Sequence, residues 1–263
     1  MKYVTFDTNT FGILNVKDDR VSDGLKKVGS AIRQEIAKNN IKGFISEASV
    51  FVECLGFAEK LAYLAVAGTS DPRPSVDERG IEAVRELQKL GFEMLHAPLI
   101  SSEIFINMPW AKDERYSVQD RLNRFHNICR KYGHPQETVE KLKAVGNELL
   151  KNQPPVPPNR RQLTDNGMKI ELRQKWAVAL KRDWENGSQN HKKTLRKQVN
   201  PIIGEWCDIL IISSHYAYGN DIFCTNDEGR GAGSNSILHH LNRENLDRDG
   251  IKVVSPRDLL NYL

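Results

Sequence analysis

The sequence predicts an α/β fold, a Rossmann-like parallel sheet flanked by helices with a mainly helical insertion. Three observations predict it. Short apolar runs alternate with amphipathic helical stretches over residues 1–100 and again over 204–263. Between them the periodicity is helical, with no clear strand. Four acidic residues, Asp7, Glu53, Asp208 and Asp227, stand in mostly apolar surroundings, where such a sheet would gather them at one end.

Residues 2–7 read as a short buried strand ending at Asp7, and Thr8-Asn9-Thr10 suits a turn. Residues 22–39 read as a helix: Ser22 and Asp23 can cap it, and Leu25, Val28, Ile32 and Ile36 recur at helical spacing. Lys42–Ser46 is a second strand. Ser46 then caps an apolar helix running from Glu47 to about Ala67, which Gly68 to Pro74 breaks. Residues 76–90 form a further helix, and 92–95 a third strand. Helices are expected over 115–132, 136–151, 165–187 and 189–199, with Gln153-Pro154-Pro155-Val156-Pro157-Pro158 as a stiff connector. The alternation resumes with a helix over 205–218, a strand over 221–225, a helix near 234–241, a last strand over 251–254 and a short terminal helix over 257–262. This divides the chain into a first half-domain (1–109), a helical insertion (110–203) and a second half-domain (204–263).

Charge is distributed unevenly along these parts. Residues 112–197 carry 20 Lys or Arg against 10 Asp or Glu, so within a total of +4 the rest of the chain stands at −6. An acidic core beside a basic middle suits a polyanionic partner, although a charged helical segment also serves simply as a solvated face. No apolar stretch approaches the length of a membrane span, and no leader pattern opens the sequence. The four cysteines (Cys54, Cys129, Cys207, Cys224) form no CxxC pair. They read as reduced thiols, which places the protein in the cytoplasm.

A carboxylate in an apolar run is costly unless its charge is compensated. Several that converge call for a hard divalent cation with oxygen ligands, Mg²⁺ or Mn²⁺. Each acid also has an ordinary explanation. Asp7 could be a turn or cap residue, Asp208 a first-turn acid at a positive helix end, and Asp227 part of a turn with Asn226. Glu53 could lie on the exposed face of an amphipathic helix. Glu47, first in its helix after Ser46, competes with Glu53; the sequence favours Glu53.

The chain resembles the PIN-domain family of metal-dependent ribonucleases, which includes VapC-type toxins. The matching stretches are Tyr3-Val4-Thr5-Phe6-Asp7-Thr8-Asn9-Thr10-Phe11, the helix with Glu53, Asp208-Ile209-Leu210-Ile211-Ile212-Ser213-Ser214-His215, Phe223-Cys224-Thr225-Asn226-Asp227, and the tail from Ile251 to Leu260. The resemblance covers roughly residues 1–100 and 204–263. It implies that the four acids are Asp7, Glu53, Asp208 and Asp227, and that Asn9 and Thr225 are polar helpers on the substrate side. It further implies a PIN-like core, RNA as substrate with DNA left open, an antitoxin or regulatory protein as partner, and a homodimer. The chain departs from the pattern in its long insertion, in Glu228-Gly229-Arg230-Gly231 where the family carries an aromatic residue, and in a Ser46-to-Glu53 spacing one residue longer.

The expected function is thus that of a metal-dependent endoribonuclease with Asp7, Asp208 and Asp227 as metal ligands. Glu53 would serve a second ion or the attacking water. Lys192, Lys193, Arg196 and Lys197, together with Arg160-Arg161, are the candidate phosphate contacts. Two rivals are a catalytically inactive PIN-like scaffold that binds RNA or protein, and a phosphatase of the haloacid-dehalogenase type. Asp7-Thr8-Asn9-Thr10 resembles the nucleophile loop of the latter, but Asn9 stands where those enzymes need a second acid. His215 reads as a satisfied structural histidine, and His239-His240 as helix surface.

Overall fold

The computed structural model describes residues 1–15, 20–57, 60, 78–97, 108–112, 115–133, 135–151, 179–180, 183–229 and 236–263. Five strands, β1 (Lys2–Phe6), β2 (Ile41–Ser46), β3 (Glu93–Leu95), β4 (Ile222–Cys224) and β5 (Val253–Val254), form one sheet in the order β3-β2-β1-β4-β5. Every pairing is parallel; Val4 lies opposite Ile222 and Phe6 opposite Cys224. From β1 the chain first builds outward through β2 and β3, then returns to the other side of β1 for β4 and β5. The order therefore reverses between β1 and β4. In open α/β sheets ligands bind outside the carboxyl ends of the strands at such a point.

Strand alternation sorts the side chains into two cores. Val4, Phe6, Ile41, Ile45, Ile222, Cys224 and Val254 face one side, where they meet Ile32 of α2 (Asp23–Ala37) and Val84 and Leu87 of α4 (Glu78–Lys89). Phe44, Leu95 and Phe223 face the other side. They meet α5 (Val118–Tyr132), α6 (Pro135–Lys151) and α7 (Gln189–Tyr218). Being covered on both faces is what a parallel sheet requires. On the first side α1 (Phe11–Leu14) packs closely on α2: a Cβ at Gly29 would fall 1.9 Å from the Ile13 carbonyl oxygen.

Helix α7 differs most from the sequence reading. The expected helices over 189–199 and 205–218 are one 30-residue helix, with Pro201 inside it. An interior proline costs ~3 kcal/mol. Here the stripe Leu195, Val199, Ile203, Trp206 and Leu210 is buried along the whole length and outweighs that cost. The boundary drawn at 203/204 falls within this helix. Ser188 caps its start, and Gly219, at φ +64, ends it in the left-handed conformation. Arg124 of α5 donates twice to the Tyr216 carbonyl, and Arg115 donates to that of Gly219, so residues of the expected insertion satisfy the C-terminus of α7.

Other elements shift by less. Helix α3 is described over Glu47–Cys54, and Leu55 makes an isolated bridge; its expected continuation over 61–67 lies outside the described residues, as does most of 165–187. The helix expected near 234–241 lies later, as α8 (His240–Arg248). Only Leu246 of α8 is buried, so it carried little periodicity to read. Thr8–Thr10 and Leu259–Tyr262 are 3₁₀ turns. Among the described residues no helix is long and apolar enough to cross a membrane.

The α7 face of β1 carries one polar residue, Thr5, fully buried. Its hydroxyl meets Nδ1 of His215 at 2.9 Å and accepts from Nδ2 of Asn220 at 2.8 Å, while the His215 ring sets its edge on Phe223. Burial, with help from Arg115 and Arg124, lowers the His215 pKa to about 3. A histidine held neutral in the fold gives its full stability above the unfolded pKa near 6.5. That stability is lost as pH falls toward 3, a change on the order of 5 kcal/mol. Between pH 7 and 4.5 the urea midpoint of the parent should therefore fall further than that of His215→Gln, by about 2 kcal/mol of stability. Equal falls would show that His215 is not the acid-sensitive group.

Candidate active site

The reversal point between β1 and β4 is where the chain places its most constrained carboxylate. Asp7 follows β1 directly and is 3% exposed. Its amide donates to the Cys224 carbonyl at the end of β4. Its side chain caps the Thr8–Thr10 turn, with Oδ1 accepting from the Thr8 amide at 2.7 Å. Oδ2 accepts from Nδ2 of Asn9 at 2.6 Å and from the Thr225 hydroxyl at 2.7 Å. Asn9 and Thr225, expected at the substrate, thus direct their polar groups at Asp7. Oδ1 of Asn9 also accepts the Asn226 amide at 2.8 Å, which ties the β1 turn to the β4 turn. Burial raises the Asp7 pKa, and the donors only partly offset it; nearby Asp227 raises it further.

Asp227 arrives on the turn after β4. Its amide donates to the Thr225 hydroxyl at 3.0 Å, and its Oδ1 accepts the Gly229 amide at 2.7 Å. Asp208 comes from above, on α7. It is the twentieth residue of that helix, so the positive helix end offered as its ordinary explanation is far away. Among the described residues nothing donates a hydrogen bond to its carboxylate. Burial raises its pKa well above the usual range, followed by the charges of Asp7, Glu205 and Asp227. Three carboxylates from three separate segments therefore act on one another at one end of the sheet.

The remaining predicted residues lie as follows. Glu53 is in the last turn of α3, and its side chain is outside the described set. Its competitor Glu47 is 4% exposed. Oε2 of Glu47 accepts the Ala97 amide at 3.1 Å and lies 3.9 Å from His96, whereas Oε1 has no partner. Burial raises its pKa to about 7. Glu47 does not figure among the charges that raise the pKa of Asp7 or Asp208. Glu205, one turn before Asp208, was missed: the sequence reading places it only as the start of the helix over 205–218. The signal was its i, i+3 spacing from Asp208.

Lys192, Lys193, Arg196 and Lys197 occupy the first turns of α7. Arg196 lies over Trp184 at 4.5 Å and Phe57 at 5.7 Å, and Lys192 lies over Trp184 at 5.6 Å. Lys193 and Lys197 make no ion pair among the described residues. Lys197 is eleven residues before Asp208, which puts both on one stripe of the helix about 16 Å apart. Arg160-Arg161 lie outside the described residues.

Two findings limit what the site is. Among the described residues no three His, Cys, Asp or Glu side chains form a ready-made metal-ligand set. A cleft of about 240 Å³, lined by His96, Val118, Arg121, Leu122, Phe125, Ala217 and Tyr218, contains none of the trio. The chain matches no protein-family model, and no curated protein or solved structure proved similar to it.

The crowding has a measurable consequence. A carboxylate whose folded pKa is raised costs stability once pH exceeds its unfolded value of about 3.8, and costs none below it. Asp208→Asn should therefore raise the urea midpoint at pH 8 in EDTA and lose that advantage below pH 4. A midpoint lowered at pH 8 would show that the carboxylate is compensated.

Proposed function

We propose that the protein is a metal-dependent endoribonuclease that hydrolyses RNA phosphodiester bonds on a PIN-like core. One observation carries the reading: Asp7, Asp208 and Asp227 come from three segments to the sheet's reversal point, where Asp227 adds to the burial that raises the Asp7 pKa, and Asp7 and Asp227 add to the burial that raises that of Asp208. A structural role alone gives no reason to gather like charges in a half-buried place.

The donor set fits a hard cation, because all three groups are carboxylates and Asp208 has no protein donor among the described residues. Magnesium keeps several waters and takes few protein ligands, so a pre-formed cage is not required. Asp7, Asp208 and Asp227 would hold Mg²⁺ or Mn²⁺, with Glu53 as the fourth acid. Such an ion supplies a bound water of lowered pKa and neutralises charge on phosphoryl oxygens. The chain's own contribution is positional. Asn9 and Thr225 fix the Asp7 carboxylate, and the sheet and α7 hold Asp7 and Asp208 on separate rigid elements. The basic start of α7 would draw in the polyanion.

A second reading, a nuclease-like scaffold that binds without turnover, is favoured by the absence of a ready-made ligand set among the described residues. Protein stripped with EDTA and supplied with Mn²⁺ or Mg²⁺ separates the two. The nuclease reading expects restored cleavage of labelled RNA, with a DNA of the same sequence run beside it. A chromogenic phosphate monoester should turn over little; efficient turnover would favour a phosphatase instead. Asp7→Asn and Asp208→Asn should each lower cleavage by at least about 100-fold, since even outer partners of metal ligands are worth ten- to a hundred-fold. Circular dichroism should be unchanged. Full activity of both variants sinks the assignment.

The basic surface is best tested at Lys193 and Lys197, because Arg196 and Lys192 also cover Trp184 and their loss would disturb packing. Lys193→Gln with Lys197→Gln should weaken RNA binding and flatten its dependence on log salt by about 1.4 in slope for a single strand. An unchanged slope places the RNA elsewhere.

A further inference from the structure

The turn carrying Asp227 is tied to the helix carrying Asp208 by contacts outside the acid trio. Glu205 lies one turn before Asp208 on α7, and its Oε1 accepts the Ile237 amide at 3.1 Å. Ile237 and Leu238 are buried in the core beneath α7. The Leu238 carbonyl accepts from Nε of Arg243 at 3.1 Å. A second nitrogen of the same guanidinium donates to the Asp227 carbonyl. Ser236 stiffens the bend: its hydroxyl accepts the Leu238 amide at 3.2 Å, and its carbonyl accepts from Asn242 at 2.7 Å. The path Glu205, Ile237, Leu238, Arg243, Asp227 is continuous and joins the two acids around the outside of the site.

We infer that Glu205 and Arg243 are positioning residues, a strap that sets where Asp227 stands relative to Asp208 and thereby tunes divalent-cation affinity. The inference rests on the nuclease reading. Among the described residues the Asp227 carboxylate is held by its own turn through Gly229 and its amide by the Thr225 hydroxyl, while Arg243 holds its carbonyl and links it toward α7. The planar guanidinium suits that task, since two donors in fixed geometry hold two carbonyls at a set separation. The link to α7 needs only an acceptor at Oε1 of Glu205. Oε2 is buried without a hydrogen-bond partner.

The test is Mn²⁺ binding by isothermal titration, with RNA affinity measured separately in EDTA. Glu205→Ala removes the acceptor and should weaken Mn²⁺ binding about tenfold, in line with outer-shell partners of metal sites. Glu205→Gln keeps the acceptor and should stay within about twofold of the parent. Arg243→Met cuts the strap at its other end while keeping the apolar stem. It should lose about as much as Glu205→Ala, and the double variant no more than either single one. RNA affinity in EDTA should hold throughout, which a general loss of structure would not allow. Parent-like Mn²⁺ affinity in Glu205→Ala overturns the inference, as do additive losses in the double variant. So does a loss in Glu205→Gln equal to that in Glu205→Ala, which would make the charge itself the ligand. Asp208→Asn is the control for the parent reading. If it binds Mn²⁺ like the parent, the metal site itself is wrong; if it does not, and Glu205→Ala does, only the strap fails.

Discussion

Burying the Asp7 carboxylate is the constraint around which the rest is arranged. A carboxylate 3% exposed at the end of a central strand is tolerated only with donors around it. Two of those donors sit on its own turn, Thr8 and Asn9, and the third, Thr225, directly follows the neighbouring strand. The requirement therefore fixes more than one side chain. It holds the β1 turn against the β4 turn, and Asn226 and Asp227 follow from where Thr225 must be. The compensation is incomplete: burial outweighs the donors, and Asp227 pushes the Asp7 pKa up further. Stability is conceded there, and a charge-neutralising ligand would restore it.

The second constraint lies on the α7 face of β1. Thr5, His215 and Asn220 form a small buried polar set beneath α7, beside the buried Ser46–Ser214 hydrogen bond. Apolar side chains slide past one another with little loss, whereas three hydrogen-bonding groups accept one register only. Seven residues, about two turns, separate His215 from Asp208 on α7. A helix whose height is fixed at His215 carries Asp208 to a defined height at the other end, so a packing detail on one face sets the geometry of the acids at the sheet's edge.

Much of this was readable from the chain. The apolar runs at Val4-Thr5-Phe6, Phe44-Ile45 and Ile222-Phe223-Cys224 alternate faces as strands must, and the parallel arrangement followed from the helices between them. Asp7 and Asp227 were legible because each sits just past such a run. Asp208 was legible as an acid among apolar residues, but its place in α7 was not. The helices over 189–199 and 205–218 read as separate, and the tertiary burial of Leu195, Val199 and Ile203 explains why one helix continues through Pro201. Glu205 was hidden by the same error. Residue α8 positions carried too little apolar pattern to be placed, and the partner of the Asp227 carbonyl, Arg243, lies within them. Hydrogen bonds spanning over two hundred residues, such as Thr225 to Asp7, leave no local trace in sequence.

That span has a consequence for how the protein comes into being. Synthesis runs from the N-terminus, and early segments begin to fold before later ones exist. β1, β2 and β3 can pair as soon as residue 95 has been made, but β1's other neighbour is β4, which comes after the whole helical middle. Until Thr225 emerges, Asp7 lacks one of its donors, and until Asp227 emerges the trio is missing a member. A growing chain on the ribosome, surrounded by RNA, is therefore without the assembled acidic site for most of its synthesis.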